Sequence, residues 1–192
     1  SERALMVEKI AKYDWARQVF DHLKETVDAQ VAQHAADPNV MLNQLPKFAQ
    51  RTHGHGPAKG GHKAIKDPQL LTGPARNAAI LYHLTGEEKY ARFSADILQA
   101  YLERLAPLTP ETTTIVGDVF YDARVTYTSL ALAYDFLYNY LNAPGAKVYS
   151  KQQRAYIPFD NKLAQKAIWN IVGDVLQEYG RPDKHGRVVS NH

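Results

Sequence analysis

The stretch Ala75-Arg76-Asn77-Ala78-Ala79-Ile80-Leu81-Tyr82-His83-Leu84-Thr85-Gly86-Glu87-Glu88-Lys89-Tyr90 decides the fold. Ala75, Ala78, Ala79, Tyr82 and His83 recur at helical spacing, and Ile80, Leu81 and Leu84 fill the remaining faces. Gly86 is a natural stop, because glycine enters the left-handed conformation of a helix C-terminus without steric cost. A second helix starts at once and runs to about Leu105, with Tyr90, Phe93, Ile97 and Tyr101 on one face. Its first turn carries two acids, which the positive end of a helix favours. Two helices joined by a Thr-Gly turn make an αα-hairpin.

The same periodicity extends in both directions. Residues from about Arg3 to Ala36 read as one long helix, with Trp15, Val19, Leu23, Val27 and Val31 on one stripe and Pro38 ending it. Residues 40–74 are irregular, with a short helical turn possible around Leu42, Leu45 and Phe48. Beyond the linker bracketed by Pro107 and Pro110, a third strong helix is expected from about Asp118 to Leu141. Val125, Leu130, Ala133, Phe136, Leu137 and Leu141 supply its apolar face. A last helix spans roughly Ser150 to Tyr179, with Pro158 as the point where it kinks or breaks. Ile168, Ile171, Val172, Val175 and Leu176 form its expected core stripe. No strand alternation stands out, so the fold class is all-α, built of successive antiparallel hairpins. Such hairpins stack as a solenoid or curl into an α/α toroid.

Composition narrows the function classes. The 192 residues are enough for one domain with a substantial core. The net charge of +3 is compatible with an acidic substrate, but no Lys/Arg block argues for nucleic acid. There is no cysteine, which removes disulfides and thiolate metal sites. No apolar run reaches membrane-spanning length, and no signal peptide is visible. Tyrosine is abundant, at 12, which suits both helix packing and carbohydrate contact.

Groups with chemistry sit at helix ends and loops. The loop from Arg51 to Lys63 holds four glycines and His53, His55 and His62. It reads as a metal site, as a loop touching substrate through His62 and Lys63, or as a plain surface loop. A metal site lacks the further ligand on a rigid element that catalysis needs, so neither metal nor cofactor is expected. Arg124 shares a helix face with Tyr121 at i, i+3, beside Asp122. It either holds a substrate carboxylate bidentately or pairs with a neighbouring acid. Arg76, next to Asn77, is a second cation near a helix start, and the chain ends on Asn191-His192.

A family resemblance gives these groups a common purpose. Arg76 to Tyr90 resembles the N-terminal hairpin of the heparinase II/III and alginate lyase superfamily of polysaccharide lyases. Leu130-Ala-Leu-Ala-Tyr134-Asp135-Phe-Leu-Tyr138 resembles that family's "YDxLY" helix, and Ser190-Asn191-His192 its Asn-His motif. The three follow the family's order over roughly residues 70–192. The resemblance implies that residues 1–192 are the N-terminal portion of an α/α-toroid lyase domain. The remaining toroid and a β-sandwich domain are expected beyond it.

The same resemblance implies β-elimination on a uronic-acid polysaccharide, alginate or a glycosaminoglycan such as heparan sulfate. Asn191 and His192 match the catalytic pair that neutralises the sugar carboxylate. Arg124, Tyr121, Asp122, Arg76, His62 and Lys63 are the substrate-binding candidates. The family's proton-transferring Tyr comes later in its chains, so residues 1–192 alone are expected to be inactive. A periplasmic or secreted location follows from the substrate class. Two other classes stay open at this point. One is an α/α-toroid glycoside hydrolase, needing two facing acids among Asp118, Asp122 and Asp135. The other is a non-catalytic helical scaffold.

Overall fold

A computed structural model describes residues 2–48, 70–117 and 121–180. The described chain is all-α apart from one two-stranded hairpin. The helices are α1 (Glu2–Lys12), α2 (Asp14–Ala36), α3 (Pro38–Leu42), α4 (Thr72–Thr85) and α5 (Glu88–Leu105). A π-helical turn, Asp122–Tyr127, leads into α6 (Thr128–Leu141). Strands β1 (Lys147–Ser150) and β2 (Ala155–Pro158) follow, and α7 (Asn161–Tyr179) comes last. The chain divides into two compact units. One comprises Ser1–Leu45, Leu71–Ala100 and Ser129–Phe159, the other Pro46–Leu70, Tyr101–Thr128 and Asp160–His192. No helix among the described residues is long and apolar enough to cross a membrane.

In the first unit the α4–α5 hairpin forms as its periodicity dictates. Gly86 takes φ +78 and its N–H donates to the Tyr82 carbonyl, closing α4. The Ser94 hydroxyl donates to the Ala75 carbonyl at 2.7 Å, tying the two helices together. Arg3 on α1 donates to the carbonyls of His83 and Leu84, two of the acceptors that the end of α4 leaves open. Rings join α4 to α6: Tyr82 meets Tyr140 at 5.7 Å and His83 meets Phe136 at 5.0 Å. Asp37 ends α2 and caps α3, its carboxylate accepting from the Asn39 N–H.

Several expectations change. The single helix over residues 3–36 is two, because Tyr13 is extended at φ −113, ψ 127 between α1 and α2. Its stripe is only half buried. Val27 and Val31 are core, while Trp15 and Val19 are exposed and line an apolar groove with Met6 and Ile10. The third helix opens with the π-helical turn, so Val125 is exposed while Leu130, Ala133, Leu137 and Leu141 are buried.

The expected last helix from Ser150 begins instead at Asn161, because Lys147–Pro158 is the antiparallel hairpin. Val148 pairs with Ile157 and Tyr149 with Tyr156, whose rings meet edge to face at 5.4 Å. β-Branched and aromatic residues favour such a pleated pair. The Tyr149 N–H donates to the buried Asp96 carboxylate at 2.7 Å and fixes β1 against α5.

In the second unit α7 packs through small and polar positions rather than its expected apolar stripe. Ala164, Ala167, Asn170 and Asp174 are buried, while Val172 and Leu176 are exposed. The Asn170 amide donates to the carbonyls of Leu105 and Leu108, and the backbone of Gly173 lies against Pro110. Loop carbonyls need donors when buried, so a polar face wins over an apolar one here.

Candidate functional site

Three of the expected substrate-binding residues share the turn that opens the third helical segment. Asp122 is fully buried. Its Oδ2 accepts from the Ile115 N–H at 2.9 Å, the Val116 N–H at 3.2 Å and the Thr114 hydroxyl at 3.2 Å. Its Oδ1 accepts from the Thr126 hydroxyl at 2.7 Å. Burial pushes the Asp122 carboxyl up from its ordinary value, and these hydrogen bonds act in the opposite direction. Both carboxylate oxygens are therefore occupied, Oδ2 holding the 114–116 segment and Oδ1 bound by Thr126. Tyr121 is half-buried and Arg124 is exposed, so one turn presents an inward acid and an outward cation.

Arg76 belongs to the other unit. It is half-buried on α4, and its Nε and a terminal nitrogen donate to the Asn77 side-chain oxygen at 3.3 and 3.1 Å. His62, Lys63, Asn191 and His192 lie outside the described residues, as does Asp118. Asp135, the other acid considered for hydrolysis, is exposed on α6. Among the described residues no group of three or more His, Asp or Glu is placed to hold a metal ion.

The first unit holds a cleft of about 570 Å³ that sequence reasoning missed. Glu88 and Arg92 come from the first turns of α5, Tyr140 from the end of α6, Lys147 from β1 and Tyr156 from β2. Ala143-Pro144-Gly145-Ala146, small side chains in the α6–β1 turn, complete the lining. The Arg92 guanidinium acts on the Tyr140 phenol, and the Asp96 carboxylate acts on the Tyr156 phenol. Burial pushes both phenols up; Arg92 opposes this at Tyr140, and Asp96 adds to it at Tyr156. Both therefore stand as neutral hydroxyls at neutral pH, able to donate and accept hydrogen bonds. Beneath the hairpin, Asp96 Oδ2 lies 2.8 Å from His34 Nε2, with both side chains buried.

Arg92 is the one exposed residue between Tyr90 and Glu103, but the sequence does not single it out, because Ser94, Asp96, Gln99 and Glu103 are polar too and are buried. The other lining residues gave no local signal, because a helix reading of Ser150–Tyr179 hides the strand that carries Tyr156.

Comparison with known proteins gives one informative match. The whole chain aligns with an endo-acting ulvan lyase. That protein, from Formosa agariphila, is 44% identical over 194 residues. The alignment takes in 100% of this chain and 23% of the lyase, so the chain spans less than a quarter of that relative's length. No protein-family model matches the chain, and no solved structure matches it.

Proposed function

We propose that this chain is part of a polysaccharide lyase that cleaves a uronic-acid-containing polysaccharide by β-elimination. The observation that carries the reading is its 44% identity, along its whole length, to the endo-acting ulvan lyase. Ulvan is therefore the first substrate to test. The motif resemblance to the heparinase II/III and alginate lyases keeps alginate and heparan sulfate as the next. On this reading the described helices are the leading part of an α/α toroid, and the protein works in the periplasm or outside the cell, where its polymer is found.

The chemistry asks for three things. A base takes the proton at C5, next to the uronate carboxylate. The electron pair left at C5 forms the C4–C5 double bond as the C4–O bond breaks. The departing oxygen then takes a proton from a general acid. Negative charge builds on the carboxylate at the first step, so donors aimed at that group lower the barrier. Asn191 and His192 are the proposed donors, an amide N–H and an imidazole. Arg124, with Tyr121 beside it, is proposed to hold the carboxylate of a neighbouring sugar, and Arg76 to contact substrate from α4. His62 and Lys63 are proposed to reach the polymer from their glycine-rich loop.

The intact protein, given ulvan, alginate or heparan sulfate, is expected to raise ultraviolet absorbance as unsaturated uronate ends form. Asn191→Ala should remove that rise. New reducing ends without absorbance would mean hydrolysis, and silence on every uronate polymer would leave a non-catalytic scaffold.

A further inference from the structure

We infer that the cleft between Arg92 and Lys147 is a binding subsite for a carboxylate-bearing sugar of an anionic polysaccharide. The choice of ligand rests on the lyase reading above; the case for a site rests on the construction of the cleft.

A binding site needs convergent polar groups on a rigid base. Arg92 stands on α5, which is buried on every side from Tyr90 to Glu103 except at this residue. The helix cannot rotate or tilt without disturbing core, so the guanidinium projects from a fixed point. The Tyr140 phenol lines the cleft beside it. Lys147 lines the same cleft from β1, and that strand is anchored by the bond from the Tyr149 N–H to Asp96. Asp96 is held in turn by His34.

The opposite strand presents Tyr156, half of whose surface stays accessible, at 46%. The cleft is thus lined by two cations, two phenols and the small Ala, Pro and Gly residues of the α6–β1 turn. Its volume of about 570 Å³ lies within the range of roughly 300–1,000 Å³ typical of small-molecule sites.

The donor set matches a uronate better than a neutral sugar or a phosphate. A planar guanidinium grips a planar carboxylate with two parallel bonds. Lys147 adds a point charge to the same group. Glu88 would repel a dianion, but it can accept hydrogen bonds from ring hydroxyls, as can the two tyrosines. The exposed Tyr156 ring offers an apolar face to the C–H side of the sugar.

The test uses the intact protein and calorimetric titration with ulvan oligosaccharides and with the same oligosaccharides after reduction of their carboxyl groups to alcohols. Arg92→Ala is expected to weaken binding of the acidic form about tenfold or more, and Lys147→Ala by less. Arg92→Lys should recover part of the loss, keeping the charge but not the fork. The reduced form should bind weakly to all variants and not distinguish them. Circular dichroism and thermal midpoints of the variants should match the parent.

If Arg92→Ala and Lys147→Ala, both folded, bind the acidic form as the parent does, the subsite is wrong. Cleavage of ulvan by the parent would then still support the lyase reading. Conversely, Arg92-dependent binding with no ultraviolet product would keep the subsite and remove the lyase. A parent that binds no acidic oligosaccharide overturns both.

Discussion

His34 and Asp96 lie 62 residues apart in sequence and 2.8 Å apart in the interior, with neither side chain reaching solvent. Asp96 spends one oxygen on the His34 ring and the other on the Tyr149 N–H. Three segments, α2, α5 and β1, are thus joined at a single carboxylate. His34 also packs edge-on against Phe93 at 5.2 Å, which fixes the plane of its ring.

Asp96→Ala is therefore expected to strip acceptors from two buried donors. Each unsatisfied donor costs about 1–3 kcal/mol, so a loss of about 2–6 kcal/mol should appear in urea unfolding of the protein. Asp96→Asn keeps one acceptor oxygen and should cost less. An Asp96→Ala protein as stable as the parent would show that the bonds to this carboxylate contribute nothing.

Acid should loosen the first unit through Asp28. Burial raises the pKa of this carboxyl, but hydrogen bonds from Lys24, Lys89 and Tyr90 outweigh that and hold it well below the ordinary carboxylate range. Lys24 Nζ lies at 2.7 Å, Lys89 Nζ at 2.9 Å and the Tyr90 hydroxyl at 2.8 Å. The folded pKa is lower than the unfolded one, so the unfolded chain binds the proton first as pH falls. The stabilisation is complete above the ordinary value of 3.8 and drains away as pH drops beneath it. Thermal midpoints should fall between pH 5 and pH 2 by more in the parent than in Asp28→Asn.

Asp122 predicts a local rather than a global effect. Asp122→Ala leaves the Ile115 and Val116 N–H groups without their acceptor, at about 1–3 kcal/mol each. Limited proteolysis should then cut first within residues 109–117. Asp122→Asn keeps one acceptor oxygen and should fall between the two. If Asp122→Ala leaves this segment as resistant as before, the carboxylate is not what holds it.

Two glycines should respond in opposite directions to the same change. A Cβ on Gly73 meets nothing within 4 Å, so Gly73→Ala should stabilise α4 by about 0.5–1 kcal/mol through helix preference and chain entropy. A Cβ on Gly173 would lie 2.8 Å from Pro110 Cβ and Cγ. Overpacking of that kind costs about 1–3 kcal/mol, more than alanine's helical advantage of about 1 kcal/mol. Differential scanning calorimetry of the two variants should therefore show midpoints on either side of the parent.

The legible parts of the fold were those set by neighbours in sequence. The α4–α5 hairpin follows from apolar spacing and Gly86, both local, and it formed as expected. The β-hairpin was hidden because the partner that pins it, Asp96, is 53 residues away from Tyr149. The face that α7 buries was misjudged for a related reason. Apolar periodicity pointed to Val172 and Leu176, while the carbonyls of Leu105 and Leu108 called for Asn170. At the site level, Tyr121, Asp122 and Arg124 do share one turn. That Asp122 turns inward depends on the amides of residues 115 and 116, and helical spacing alone carries no trace of them.

The π-helical turn at Asp122–Tyr127 has a consequence for numbering along the helix. Its wider loop holds one residue more than an α-turn, and the Thr128 hydroxyl reaches back five positions to the Ala123 carbonyl. Side chains before and after the turn are consequently out of phase by one residue, about 100° of rotation. Tyr121 keeps the frame before the turn, Leu130 to Leu141 keep another, and Arg124 sits inside the turn between them. Any superposition on an unbroken helix will match one frame and misplace the other, until a gap is opened inside residues 122–127.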